Sequence, residues 1–272
     1  MQFAARTHPG QREGENEDSV GSDGTNQLWL VADGMGGHAS GRVASQIVCD
    51  KLLELASISP LDAAVLEAHA AVRSAAERDQ RFQGMGSTVV AAQVTDQICR
   101  IVWVGDSRAY LWRSGTLSRL TRDHSLRELL RTLPDSLENA PMESPQRHLI
   151  SQVLGLGDPL PSHVDLQLRS GDRILLASDG LNGELEDHEL AAILATSADA
   201  SSAADALISA ALTKGGRDNV STVVVDFETL DELQDARALE STWKANVWPA
   251  VLGGILLAVL AAALWWHFSM RR

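Results

Sequence analysis

The hydrophobic residues of this chain are concentrated in short runs that end at glycine or aspartate. Runs of this kind, rich in valine, isoleucine and tryptophan, are typical of β-strands. A serine–glycine pair at 114–115 predicts a tight hairpin turn between two of them. We therefore predict strands at Leu28–Ala32, Thr88–Val94, Ile98–Val104, Ala109–Trp112, Thr116–Leu120, Arg173–Ala177 and Thr222–Phe227.

Other segments repeat their apolar residues at the helical spacing of three to four positions. The predicted strands come in adjacent groups, and the helices between them come as pairs. This order favours an α+β fold with antiparallel sheets over a doubly wound parallel sheet. The predicted helices are Ser40–Leu55, Pro60–Ala76, Ser125–Leu133, Asp187–Leu194 and Ser201–Leu212.

The last part of the chain has a different composition. Residues 247–268 read VWPAVLGGILLAVLAAALWWHF and carry no formal charge. A helix of this length spans about 33 Å, enough for the core of a bilayer, whereas a buried core helix needs only about 10–14 apolar residues. We predict one domain at 1–227, a polar linker or amphipathic helix at 228–246, a transmembrane helix at 247–268 and a short basic tail at 269–272.

Composition limits the cellular compartments and the classes of partner that are expected for this chain. The formal net charge of −13 argues against nucleic acid as a partner, because the phosphates would be repelled. The N-terminal segment lacks the apolar core of a signal peptide, and Cys49 and Cys99 are too few for a disulfide framework. We expect a single-pass protein of the cell inner membrane, with its large domain in the cytoplasm.

Acidic residues stand where several predicted strands stop. Asp33 and Asp179 each precede a glycine, Asp106 follows a strand, and Asp218 comes just before the last strand. Mg²⁺ and Mn²⁺ prefer carboxylate, carbonyl and water oxygens, so aspartates that converge at one rim would suit them. Asp-Gly is also a common tight turn, and Asp23-Gly24 is interpreted as only that.

Other catalytic motifs are absent from the sequence. Neither cysteine is followed by arginine at the Cys-x₅-Arg spacing of tyrosine phosphatases. There is no G-x-x-x-x-G-K-[ST] nucleotide loop and no G-x-S-x-G nucleophile elbow. Because no side chain is an evident nucleophile, the residues favour chemistry by a metal-activated water.

Six motifs occur in a fixed order along residues 1–227. They are NEDSV at 16–20, VADGMGGHASGRVAS at 31–45, GMGSTVV at 84–90, VGDSRAYLWRSGTLSRLTRDHSL at 104–126, GDRILLASDGL at 171–181 and GGRDNVSTVVV at 215–225. In these motifs the chain resembles the bacterial PP2C-type (PPM) protein phosphatases. The resemblance implies an αββα sandwich, two antiparallel sheets flanked by helices, with a site for two Mn²⁺ or Mg²⁺ ions at one end.

The resemblance also implies how those ions would be held. Asp33 would bridge both cations and the Gly34 carbonyl would bind one of them. Asp179 and Asp218 would complete the other. A water bridging the two cations would attack phosphorus in line with the departing serine or threonine oxygen, and no phosphoenzyme would form.

Four further acidic or amide residues have implied supporting roles. Glu17 and Asp18 would act directly or through bound water. Asp106 would hold a third, weaker metal, and Asn219 would support Asp218 from behind.

The sequence departs from the family near the phosphate site. Family members carry a phosphate-binding arginine at the position of Glu13, whereas Arg12 is displaced by one residue here. Either a local bulge brings Arg12 to the phosphate or it is a solvated surface charge. Met35 stands where some eukaryotic members have a histidine proposed as general acid, and nearby His38 is not assigned that role.

The resemblance implies a protein-serine/threonine phosphatase that opposes kinase signalling at the membrane. Its partners would be proteins phosphorylated on serine or threonine, including a kinase, and the membrane itself through 247–268. Two alternatives remain open at this point. One is a catalytically weak pseudophosphatase that acts as a membrane-tethered binding module, and the other is a hydrolase of a different phosphoester.

Overall fold

A computed structural model describes residues 1–11, 14–36, 40–131 and 149–228. The chain divides into a compact unit, Met1–Thr229, and a second unit, Leu230–Arg272, that lies outside the described residues. The predicted boundary after Phe227 remains a prediction.

The described residues form strands in two separate sheets and helices on their outer faces. The strands are β1 (Gln2–His8), β2 (Asp18–Asp23), β3 (Leu28–Met35), β4 (Gly86–Ser87), β5 (Val89–Thr95), β6 (Ile98–Val104), β7 (Arg108–Arg113), β8 (Thr116–Arg119), β9 (Ser162–Gln167), β10 (Asp172–Ala177) and β11 (Val220–Phe227). The helices are α1 (Ser40–Leu55), α2 (Leu61–Arg78), α3 (Leu126–Arg131), α4 (Asp179–Asn182), α5 (Asp187–Thr196) and α6 (Ala200–Thr213), with a 3₁₀ turn at Gln80–Phe82.

Both sheets are antiparallel. The first has the strand order β1-β11-β10-β7-β8, and the second has the order β2-β3-β5-β6-β9, with β4 paired to β3. The turn predicted at Ser114-Gly115 is confirmed, since both residues have positive φ and join β7 to β8.

Each sheet packs a helical layer on one face and the other sheet on the other face. One apolar core lies between β3, β5 and β6 and helices α1 and α2. A second core lies between β7, β10 and β11 and helices α5 and α6. The alternate residues of the same strands are buried as well, and alternation points them to the opposite face, between the sheets. The expected αββα arrangement of two antiparallel sheets with flanking helices is confirmed.

Trp29 joins the two sheets. It lies in β3, is fully buried, and makes edge contacts with Phe227 of β11 at a ring separation of 6.3 Å and with Phe3 of β1 at 5.9 Å. Its indole Nε1 is buried and has no hydrogen-bond partner among the described residues.

Four of the observed strands, β1, β2, β4 and β9, are absent from the set predicted from the sequence. β1 (QFAARTH) lies at the sheet edge with exposed and half-buried residues, and β9 (SHVDLQ) has no fully buried residue. Neither strand carries the dense apolar run that marked the central strands. β3 also continues through Asp33 and Gly34, because β4 pairs with its last residues, so these two site residues lie within a strand and not after it.

The described part of the chain contains no helix long and apolar enough to cross a membrane. The predicted transmembrane helix at 247–268, the linker at 228–246 and the tail at 269–272 lie outside the described residues, except Glu228.

The Trp29 contacts predict a large cost for truncating this side chain. We expect Trp29→Ala to lower the free energy of unfolding by about 3–5 kcal/mol, since it leaves a cavity between the sheets. Trp29→Phe should cost less than half as much, because it also removes a buried donor without a partner. Urea denaturation measures both, with Leu66→Ala on the exposed side of α2 as the control. Equal losses in the alanine and phenylalanine variants would contradict this account.

Candidate active site

Asp18 and Asp33 are direct neighbours across two strands. They face each other in the register between β2 and β3, at the end of the second sheet. Asn16 fixes the segment that leads into β2, because its Oδ1 accepts a hydrogen bond from the Asp18 amide at 3.1 Å and its Nδ2 donates to Thr7 Oγ1 at 2.7 Å. The β-sheet register therefore fixes two carboxylates side by side.

Glu17 reaches the same rim through a close backbone contact. The Gly34 amide donates to the Glu17 carbonyl at 3.2 Å, and the Glu17 carboxylate accepts a hydrogen bond from the Gly41 amide at the start of α1. A Cβ on Gly41 would lie 2.8 Å from Glu17 Cδ and 2.7 Å from the Gly34 carbonyl carbon. Glycine at both 34 and 41 lets the strand and helix approach this closely.

Asp179 and Asp218 are brought together from the other sheet. Asp179 is the first residue of α4 after β10, and Asp218 precedes β11, the neighbouring strand. Two hydrogen bonds join the strand ends: the Ser178 amide donates to the Ser221 carbonyl oxygen at 3.0 Å, and the Ser221 amide donates to Ser178 Oγ at 3.0 Å. A Cβ on Gly180 would lie 3.4 Å from Asp218 Cβ, so the two segments are in contact.

Asn219 connects three segments of the site. Its Oδ1 accepts a hydrogen bond from the Glu17 amide at 2.8 Å, and its Nδ2 donates to the Pro9 carbonyl at 3.0 Å. Its own amide donates to Asp218 Oδ1 at 2.9 Å. Asn219 therefore links the Asp218 and Glu17 segments through its hydrogen bonds.

Asp106 lies in the short connection between β6 and β7. The residue before it, Gly105, has a φ of +108°, and its amide donates to His124 Nδ1 at 3.2 Å. The residue after it, Ser107, shares a hydrogen bond of 2.8 Å between its Oγ and Thr88 Oγ1. Thr88 Oγ1 also accepts a hydrogen bond from the Asp33 amide. His124 and Thr88 position this turn and were not singled out from the sequence.

The electrostatics of the site show how closely these carboxyl groups lie. Burial, with Asp179 and Asp218 nearby, raises the pKa of Asp18 to about 7. Burial, with Asp179 and Asp123 nearby, raises the pKa of Asp106 to about 7. The pKa of Asp33 lies well above its ordinary value because of burial and the charges of Asp18 and Asp179.

Glu17 and Asp179 show the same direction of shift. Burial is the main cause of the raised pKa in both, and the charge of Asp218 adds to it. The Asp33 and Asp179 carboxyl groups also share a hydrogen bond. The acidic residues of both sheets therefore belong to one mutually repelling group.

The chemistry of this group suits divalent cations. Both carboxylate oxygens of Asp18, and Oδ1 of Asp106, are buried without a hydrogen bond of normal geometry among the described residues, although the Ser221 and Ser178 hydroxyl groups lie near enough to Asp18 to oppose the rise in its pKa. Buried carboxylates without donors are costly unless a cation or a proton neutralises them. No three His, Cys, Asp or Glu side chains within the described ranges already converge closely enough to hold one ion.

The structure brings the acidic residues expected from the sequence to one end of the sandwich, and their metal-binding roles stay predictions. Arg12 and His38 lie outside the described residues. Met35 ends β3 beside Gly34 and is exposed. Asp23 forms the expected turn, since its Oδ1 accepts hydrogen bonds from the amides of Thr25 and Asn26.

A buried carboxylate group at the end of a two-sheet sandwich defines a candidate metal-dependent hydrolase. The chain matches the family described as Protein phosphatase 2C over residues 9–215, and it belongs to that family.

Two relatives show the extent of this similarity. The chain is 38% identical over 241 residues to the serine/threonine protein phosphatase PstP of Mycobacterium tuberculosis, which covers 85% of this chain but 46% of that protein. The chain therefore spans about half the length of that relative. It is 34% identical over 254 residues to the serine/threonine phosphatase stp of Listeria welshimeri, covering 87% of this chain and 100% of that protein.

Solved structures have the same fold. The serine/threonine phosphatase PstP/Ppp of Mycobacterium tuberculosis superposes with a TM-score of 0.76 at 37% identity, covering 84% of this chain and 99% of that one. The catalytic domain of PstP in complex with two manganese ions superposes with a TM-score of 0.71 at 36% identity, covering 83% and 97%.

The raised pKa of Asp18 predicts a pH-dependent stability for the metal-free protein. A carboxyl group with a higher pKa in the folded state binds more protons when folded, so its unfavourable contribution grows as the pH rises from about 4 towards 7. Asp18→Asn should therefore raise the free energy of unfolding by about 1–3 kcal/mol at pH 8, with the gain shrinking towards pH 4. Urea denaturation in chelator measures this.

The control for this experiment is Asp23→Asn. Hydrogen bonds from Asn26 lower the pKa of Asp23, so its charged form favours folding and removing the charge should not stabilise the protein at pH 8. An Asp18→Asn gain of the same size at both pH values would contradict the prediction.

Proposed function

We propose that this chain is a metal-dependent protein-serine/threonine phosphatase that hydrolyses phosphoserine and phosphothreonine in proteins. The observation that carries the proposal is the group of Asp18, Asp33, Asp106 and Asp179, whose pKa values are all raised. Within this group, Asp18 and Asp106 also have buried carboxylate oxygens without a hydrogen bond of normal geometry among the described residues. Family membership and the names of the relatives support the substrate class.

The carboxylate and carbonyl oxygens present are the ligands that Mn²⁺ and Mg²⁺ prefer, and the described side chains would have to move closer together to hold two such ions. Asp33 and the Gly34 carbonyl would hold one ion, and Asp33, Asp179 and Asp218 would hold the other. Glu17 and Asp18 would contribute directly or through water, and Asp106 would hold a third, weaker ion. The two manganese ions of the PstP catalytic domain support this assignment. When bound, such ions neutralise phosphoryl oxygens and lower the pKa of water at the phosphorus.

The chain's own residues then have distinct tasks. The carboxylates of Asp33, Asp179 and Asp218 hold positive charge at the rim, while the hydrogen bonds of Asn219 keep Asp218 and Glu17 at a fixed spacing. In the same proposal, Arg12 binds the substrate phosphate. The general acid is not assigned, because Met35 occupies the position at which some relatives carry a histidine.

A pseudophosphatase is the second candidate. A binding module that never holds cations would gain stability by losing some of these carboxylates, because like charges at one buried rim repel each other. The acidic group retained at this rim therefore favours catalysis over a scaffold role.

Activity is tested with the full-length protein in detergent, by phosphate release from a phosphothreonine peptide. We expect turnover with Mn²⁺, none with chelator, and a loss on the order of 100-fold or more in Asp179→Asn, since this change removes a charge from the centre of the site. Asp23→Asn is the matched control, because it makes the same substitution in an Asp-Gly turn outside the site.

The same assay decides between the phosphatase and the pseudophosphatase. If the folded protein binds a phosphopeptide but releases no phosphate with Mn²⁺ or Mg²⁺, the phosphatase proposal fails and the pseudophosphatase replaces it. If Asp179→Asn keeps full activity, the metal assignment fails.

We also propose that residues 247–268 anchor the protein in the cell inner membrane, with the phosphatase domain in the cytoplasm. The support comes from the sequence, which has no formal charge over this segment and tryptophans near its ends. At that surface the enzyme would oppose serine/threonine kinases, and a kinase would be among its substrates.

The anchor predicts where the protein is found after cell lysis. Full-length protein should remain in the membrane pellet after carbonate extraction, and protein lacking residues 247–268 should move to the supernatant. Replacing Val251, Leu256 and Leu260 by alanine keeps the segment uncharged and is the control that should stay in the pellet. Full-length protein in the supernatant would refute the anchor.

A further inference from the structure

A second feature lies beside the acidic site. A cavity of about 420 Å³ is bounded by Asp106 and Asp179 on one side and by the β7–β8 hairpin and helix α3 on the other. It therefore opens directly from the group of carboxylates proposed to hold the cations. Its remaining wall is formed by residues at the end of α4.

Four arginines line the side of this cavity away from the acidic site. Its lining includes Arg108, Arg119, Arg127 and Arg131. Apart from Asp106 and Asp179, which belong to the acidic site, the lining contains two carboxylates, Asp123 and Glu128. With Asp106 and Asp179 included, four positive charges face four negative ones, so the cavity has an excess of two positive charges only when the cations proposed at the acidic site neutralise Asp106 and Asp179.

Two of the arginines share a single carboxylate. Arg108 contacts Asp123 through Nε at 3.1 Å and Nη2 at 2.8 Å, and Arg119 also contacts Asp123. The Nε of Arg119 is buried and has no acceptor among the described residues. Asp123 therefore does not use the full hydrogen-bonding capacity of both guanidinium groups.

The other two arginines lie on α3. Arg131 pairs with Glu128 at 2.6 Å and is half-exposed. Arg127 is exposed, and within the described residues it pairs with no carboxylate. Within the described ranges, Arg127 has no carboxylate partner and Arg119 keeps a buried Nε without an acceptor, so both can donate to a ligand in this cavity.

We propose that this cavity is a subsite for a second anionic group of the substrate, a phosphoryl or carboxylate group carried by the same protein segment as the phosphoserine or phosphothreonine being hydrolysed. The proposal rests on the proposed function, because the acidic site places the first phosphate. Arginine suits this role because its planar fork binds phosphate and carboxylate oxygens through paired, charge-assisted hydrogen bonds.

Beyond the third ion proposed at Asp106, a further cation is the less suitable occupant of the rest of the cavity. The two carboxylates outside the acidic site are already paired with arginines, so an ion in the centre of the cavity would face guanidinium groups. An anion there would meet the excess positive charge directly. Substrates with two nearby anionic groups are therefore expected to be preferred over substrates with one.

The test compares three phosphothreonine peptides that differ at one further position. That position carries a second phosphothreonine, a glutamate or an alanine, at spacings of two to four residues on either side of the first phosphothreonine. The measured quantity is the ratio of kcat/KM between each anionic peptide and its alanine counterpart. We expect a ratio of about tenfold for the wild-type full-length protein at the productive spacing.

Arg119→Gln and Arg127→Gln, alone and together, remove the spare donors. We expect the ratio to fall in each variant and to come within twofold of unity in the double variant. Arg127 is exposed, so its single variant tests the subsite even if Arg119→Gln fails to fold. Arg73→Gln on α2 is the matched control, since it removes an exposed arginine elsewhere and should leave the ratio unchanged.

The outcomes show which kind of anionic group the subsite binds. A preference for both phosphothreonine and glutamate indicates a general anion subsite, and a preference for phosphothreonine alone indicates a phosphoryl subsite. Equal ratios in wild type and the double variant, or no wild-type preference, would overturn the subsite.

Failure of the phosphatase proposal itself gives a different result. In that case wild-type protein hydrolyses none of the peptides and does not hydrolyse p-nitrophenyl phosphate. Fluorescence anisotropy of the labelled peptides then decides the subsite alone. Binding of the doubly anionic peptide should weaken about tenfold in the double variant, and unchanged binding would overturn the subsite.

Discussion

The site requires the fold to hold several carboxylates together at one end of the sandwich, although their negative charges repel each other. Asp18 faces Asp33 because β2 and β3 pair in one register, and that register also buries Trp29 between the sheets. A slip of one residue would turn Trp29 out of the core together with the aspartate. The apolar core therefore keeps in place a group of charges that would otherwise separate.

Close backbone approaches complete this arrangement. Gly10 has a φ of +76°, and a Cβ there would lie 2.1 Å from the Asp218 carbonyl oxygen. A Cβ on Gly180 would lie 2.0 Å from the Asn219 carbonyl oxygen. These glycines let three chain segments meet behind Asp218, so the spacing of the carboxylates is set by the backbone and by the hydrogen bonds of Asn219.

The sequence was informative where local chemistry determines structure. Dense apolar runs located the central strands, and aspartates next to glycine or at strand ends identified Asp33, Asp106, Asp179 and Asp218. Edge strands β1 and β9 were missed because half-buried residues leave little pattern, and edge strand β2 (DSVGSD) was missed because its only large apolar residue is one valine. His124 was missed for a different reason: its contact with Gly105 joins residues distant in sequence, and no spacing rule predicts such a contact.

The proposed chemistry also poses a problem of charge. A protein with a formal net charge of −13 repels an anionic phosphoprotein at long range, and its acidic rim would do so at short range without bound cations. Cations bound at the rim would remove this repulsion only for the phosphate that is hydrolysed. Any neighbouring anionic group on the substrate needs its own positive charge. Once cations neutralise Asp106 and Asp179, the arginines that line the adjoining cavity outnumber its remaining carboxylates and can supply that charge.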